Sequence, residues 1–138
     1  MIDIENDVLN MVQTAVRVSG SKASVTIEYE TTPKTMPAVT VMEIDNTIVQ
    51  RMRTTKIENA DRVVYQINVY SDKLNGRKQE ARSLMSVVDR AMLNAGFTRI
   101  MMNQIPNLVD ARVYRIVARY SAVVGPGSQR DSYWIYQS

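Results

Sequence analysis

The sequence predicts an α+β fold: a mostly antiparallel sheet with two helices packed on one face and a projecting β-hairpin arm. Two segments carry apolar residues at spacings of three and four, several others alternate residue by residue, and the two kinds are interleaved along the chain. Strands with a single apolar row need cover on one side only, so helices gathered on that side bury the rows most simply. At 138 residues and 45% hydrophobic content the chain supports one core, and residues 1–138 are expected to form one domain.

The first helix is expected from about Asp3 to Val18. Ile4, Val8, Met11, Val12, Ala15 and Val18 recur on one side, while Glu5, Asn10, Gln13 and Arg17 take the other. Asp3, Glu5 and Asp7 complement the positive end of the helix dipole, and Ser19-Gly20-Ser21 stops the helix. Ala23 to Glu30 then alternates Val25, Ile27 and Tyr29 against Ser24, Thr26, Glu28 and Glu30, which is a half-buried strand. Pro33 and Pro37 break it. Val39 to Ile44 and Ile48 to Arg53 read as two arms about a turn at Asp45-Asn46, and the polar run Thr54 to Asp61 extends this into a projecting hairpin or flexible arm.

The richest stretch is Arg62 to Gly125. Its opening strand places Val63, Tyr65, Ile67 and Val69 on one face and Val64, Gln66, Asn68 and Tyr70 on the other, a mostly polar face suited to solvent or a neighbouring subunit. A long helix from Arg77 to Ala95 follows, with Ala81, Leu84, Met85, Val88, Ala91, Met92 and Ala95 as its stripe and Gly96 as a left-handed cap. Phe97, Ile100 and Met102 open a further strand, interrupted at Pro106-Asn107. Ala111 to Val124 alternates Tyr114, Ile116, Ala118, Tyr120 and Ala122 against Val113, Arg115, Val117, Arg119 and Ser121. Gly125-Pro126-Gly127-Ser128 is expected to turn the chain into a last strand, Tyr133 to Tyr136.

Little in this sequence organises chemistry. It has no histidine and no cysteine, which excludes Ser-His catalysis, thiolate nucleophiles and disulfides. Asp3, Glu5 and Asp7 form the densest carboxylate cluster, but the helix dipole accounts for them without a metal. Glu28 and Glu30 share a solvated strand face, and Gly125-Pro126-Gly127 lacks the helix and Lys-Ser/Thr of a phosphate loop. No catalytic residue, metal ligand or cofactor is therefore expected. Seventeen basic against fourteen acidic side chains leave a formal charge of only +3, too weak a bias to define a nucleic-acid surface. The acidic N-terminus differs from a secretory signal, and no apolar run approaches the ~20 residues of a membrane helix, so a soluble, unprocessed product with no membrane partner is expected.

Interface chemistry is better represented. Arg51 and Arg53 project from one strand face of the arm with Met52 between them and Lys56 beyond, able to meet acidic groups of a neighbour or phosphates, or to protect a solvated edge. Arg115 and Arg119 are interleaved with Val113 and Val117, which suits a partly covered surface. Met101 and Met102 alternate, so one of them faces away from the core. Trp134 and Tyr136 either anchor a partner or belong to a terminal strand docked on its own sheet.

The strand Val63 to Ser71, the helix bearing Glu80-Ala81 and Ala91-Met92-Leu93, the Gly96-Phe97 step and the strand Arg115 to Ala122 together resemble the tail-terminator, or tail-completion, proteins of long-tailed bacteriophages. The resemblance covers Val63 to Val124, about half the chain, and rests on element order and residue character. It implies a virion structural protein at the head-tail junction. Such a subunit forms a homo-hexameric ring on the tail tube, stops tube growth and meets the head-completion proteins, with DNA passing through the lumen. No active-site residue carries over. Alternatives are another connector component, such as a head-completion stopper or tail-tube subunit, or a small nucleic-acid-binding module; the arm's lack of aromatic residues speaks against the last.

Overall fold

The computed structural model describes residues 3–27, 36–48, 60–105, 112–126 and 133–136. The elements run α1 (Glu5–Val18), β1 (Ser24–Ile27), β2 (Ala38–Ile48), β3 (Asp61–Ser71), α2 (Arg77–Asn94), β4 (Thr98–Gln104), β5 (Tyr114–Pro126) and β6 (Tyr133–Tyr136). The strands form one six-stranded sheet in the order β1-β2-β3-β5-β4. β6 lies end to end with β4 on the same side of β5, pairing with Val123–Pro126 while β4 pairs from Ile116 to Ser121. All pairings are antiparallel except β1 with β2. This is the expected α+β architecture.

Helix α1 starts where Asp3 Oδ1 accepts the Glu5 amide at 3.1 Å, and Glu5, Asp7 and the late Arg17 suit its dipole. Its core stripe is Ile4, Val8, Val12 and Val16, each at most 2% exposed. Val18, expected in that stripe, is 81% exposed. At about 100° per residue Val18 lies roughly 200° around from Val16 and shares its bearing with Met11, so Met11, Ala15 and Val18 form a second row beside the first. Helix α2 follows its expected stripe more closely: Ala81, Leu84, Met85, Val88 and Met92 are buried. It closes at Gly96, whose φ of 99° allows the Phe97 amide to reach the Met92 carbonyl at 3.1 Å.

Both helices bury their stripes against one face of the sheet. α1 lies over β1 and β2, α2 over β3, β5 and β4, and the helices touch each other. The shared core takes Val39 and Val41 from β2, Val63, Tyr65, Ile67 and Val69 from β3, and Ile116, Ala118, Tyr120, Ala122 and Val124 from β5. Phe97 packs edge-on against Tyr65 with ring centroids 6.0 Å apart.

Three local expectations are corrected. Asp45 and Asn46 do not turn the chain; they continue β2, paired with Val64 and Val63 after a bulge between Glu43 and Asp45. The extra residue is absorbed within the strand, and the β2–β3 ladder continues on both sides of it. The arm's remaining residues, 49–59, lie outside the described residues. Likewise Gly125 and Pro126 stay in β5, paired with Trp134 and Tyr133, and Gly127 and Ser128 lie outside the described residues. Ile100 is 55% exposed because a bulge between Arg99 and Met101 shifts the alternation; Met102 packs on the core.

Candidate subunit interface

The sheet face away from the helices is less open than its polar sequence predicts. Asn68 and Tyr70, expected on a face for solvent or a neighbour, are both 0% exposed. Asn68 donates from Nδ2 to Thr40 Oγ1 at 3.1 Å on β2. Its Oδ1 accepts from Arg115 Nε at 3.2 Å and Nη2 at 2.8 Å on β5. The same guanidinium lies 5.6 Å from the centroid of the Tyr70 ring, and Tyr70 packs with Ala38, Val113 and Met36 into a second, smaller core. Arg115 thus ties three strands together across the back of the sheet. Arg119, four residues further along β5, is exposed and donates from Nε to Gln66 Oε1 at 3.0 Å.

Of the other sequence-derived interface residues, Arg51, Met52, Arg53 and Lys56 lie outside the described residues. Trp134 and Tyr136 belong to β6, which docks on its own sheet opposite Gly125 and Val123. The backbone therefore favours the intramolecular alternative for that segment.

Two carboxylate sites escaped the sequence reading. Tyr65 and Tyr120 are register partners in the core-facing rows of β3 and β5, both 0% exposed. The Tyr120 hydroxyl donates to Asp89 Oδ1 at 2.7 Å, and Arg99 Nη1 holds both oxygens of that carboxylate at 3.1 Å. The Tyr65 hydroxyl donates to Glu43 Oε1 at 3.1 Å, which also accepts from Asn46 Nδ2 at 3.3 Å. Burial, reinforced by the neighbouring carboxylates, pushes both phenols well above their usual range. Glu43 is raised as well, first by burial and further by the charges of Asp3 and Glu5, against the two hydrogen bonds that favour its ionised form. Phenols held protonated in this way are structural ties and poor bases near neutrality. The available signal was a tyrosine within each apolar row, since a buried phenol requires an acceptor.

Other surfaces are open. β1 pairs with β2 only as far as Val41, so Met42 to Ile48 have no further strand beside them among the described residues, and neither does the outer side of β4. Between α1 and α2 runs a groove of about 830 Å³, floored by Met11, Ala15, Val87 and Ala91 with Asp7 and Arg90 on its walls. Among the described residues no group of three or more His, Cys, Asp or Glu could hold a metal ion, and no helix is long and apolar enough to cross a membrane.

Two helices on one face of a sheet whose edges are uncovered among the described residues, with a tied-down rear face, invite comparison at the level of fold. The fold is shared with a sheath/tube terminator. That protein belongs to PVC, an extracellular contractile injection system, and was solved by cryo-EM in the extended state. The match has a TM-score of 0.51 at 12% identity and covers 100% of this chain. This chain spans 62% of the terminator's length. No protein-family model matches the chain, and no curated protein matches it.

Proposed function

We propose that this chain is a tail-terminator subunit: a single-domain structural protein that assembles as a homo-hexameric ring on the end of a phage-type tail tube, stops its elongation and offers a surface to the head-completion proteins. The observation that carries this reading is the fold shared, over the whole of this chain, with a sheath/tube terminator. The sequence supports it independently, since the strand, helix and strand between Val63 and Val124 resemble phage tail terminators. Physically, a closed ring needs two different patches on each subunit, and a sheet open at both edges supplies two. DNA passes through the lumen without base-specific contacts. Virions made with and without the chain test the proposal by negative-stain imaging of their tails: overlong or headless tails are expected in its absence, and normal tails of normal length would refute it.

A further inference from the structure

The two sheet edges that are uncovered among the described residues carry opposite charge. On one side, Asp3 and Glu5 at the start of α1 stand by Glu43 of β2, and Asp45 follows on the same stretch of strand, which pairs with β3 and has no other strand beside it among the described residues. Asp3 and Asp45 are exposed, while Glu5 and Glu43 are half-buried. On the other side, α2 and β4 enclose a cleft of about 280 Å³ lined by Lys78, Arg82, Arg99, Asp89, Asn103 and Tyr114, among others. Lys78 and Arg82, one helical turn apart, are exposed, and Arg99 is neutralised by Asp89. The two sites are kept apart by the sheet order: β3 and β5 lie between β2 and β4, three inter-strand steps of roughly 4.8 Å each. α1 covers the acidic side and α2 the basic side.

We infer that the basic cleft between α2 and β4 receives the acidic β2 edge and first α1 turn of a second copy of this chain, in a head-to-tail contact. Charge complementarity identifies the occupant: each copy carries both the cation-lined cleft and, on its opposite flank, carboxylates able to enter it. Because the two patches differ and lie on opposite flanks, the contact is heterologous and repeats from copy to copy, as the subunits of the proposed ring require. The inference deepens the ring reading and rests on it.

The test begins with carbodiimide coupling of a mixture of isotope-labelled and unlabelled chain, alone at high concentration and on assembled tails. Amide links from Lys78 to Glu5, Glu43 or Asp45 of the other isotopic form are expected. Intermolecular links confined to other residues, or none, would overturn the contact. A link from Lys78 to a tail-tube protein instead would do the same, assigning the cleft to a different partner. Charge swaps supply the second arm. K78E/R82E and E5K/D45K are each expected to associate about ten-fold or more weakly by sedimentation at low salt, and their equimolar mixture to recover association. Failure of the mixture to recover, with both variants folded by circular dichroism, refutes the pairing; if a variant does not fold, the cross-links decide. Normal rings on tails with unlinked Lys78 would sink this contact and leave the terminator reading standing, whereas normal tail length without the chain would sink that reading alone.

Discussion

Replacing Tyr120 by Phe removes one hydroxyl from the core and leaves no cavity, so its cost is set by the hydrogen bond to Asp89 at 2.7 Å. A bond to a charged acceptor contributes about 1.5–3 kcal/mol, and Asp89 keeps Arg99, so a loss of about 2 kcal/mol is expected at pH 7. The alkaline limb sharpens the argument. The phenol's pKa is raised in the folded protein, by burial first and then by Asp89, so above the ordinary value of 10.0 the unfolded chain loses this proton while the folded one keeps it. Tyr120 therefore stabilises fully below pH 10, and the parent loses about 1.4 kcal/mol per pH unit on its account above that. The variant lacks this contribution. Its deficit should shrink from about 2 kcal/mol at pH 7 to roughly 0.6 at about pH 11. Urea unfolding followed by circular dichroism at both pH values reads the difference directly. A deficit that stays constant between them would show that the phenol is not held protonated and would refute the reasoning.

Glu43→Gln keeps an acceptor for Tyr65 while removing a buried charge; because the carboxyl's pKa is raised in the fold, the parent loses stability as pH rises from about 4.5 through the raised value, and the variant's pH profile should be flatter there in thermal melts. Asn68→Ala strips partners from Thr40 and Arg115 at once, and a loss of about 2–3 kcal/mol is expected in urea unfolding, more than Gln66→Ala, whose partner Arg119 is exposed to water. Gly96→Ala meets a φ of 99° and sets a methyl 3.0 Å from Ile135 Cγ2, so a loss of about 1–2 kcal/mol is expected, with β6 loosened in hydrogen exchange. Reversing charge at Arg51 and Arg53 should abolish ring assembly on tails and leave the circular dichroism spectrum unchanged, and assembly that persists would remove the arm from the interface.

The elements whose residues do one job were legible in the sequence. α2 has a single apolar stripe, and β3 and β5 each have one unbroken apolar row, so period alone placed Leu84, Val88, Ile67 and Ala118 in the core. α1 was read less well because it carries two adjacent rows, and six apolar residues at spacings of three and four do not show which row meets the sheet. Bulges defeated the pattern elsewhere: one extra residue in β2 made Asp45-Asn46 resemble a turn, and another in β4 put Ile100 outside. The partner of Arg115 was hidden for a different reason: its acceptor, Asn68, lies 47 residues earlier, and strand register alone brings the two together. Long-range polar pairs of this kind leave no local mark.

The same placement of polar groups limits where a partner can bind. The helix-covered face is filled by the core, and the end of the opposite face around Tyr70 is closed by Arg115. At the edges, backbone groups with no strand beside them among the described residues would by themselves accept almost any strand. Opposite charges on the two edges remove that ambiguity. Pairing β2 with β2 would bring Glu43 and Asp45 against their own copies, and pairing β4 with β4 would oppose the cations of Lys78 and Arg82, so both symmetric dimers are disfavoured. The proposed β2-to-β4 order relieves both repulsions and leaves one acidic and one basic edge exposed after every addition; it gives a ring where the rotation at each contact brings the first and last subunits together.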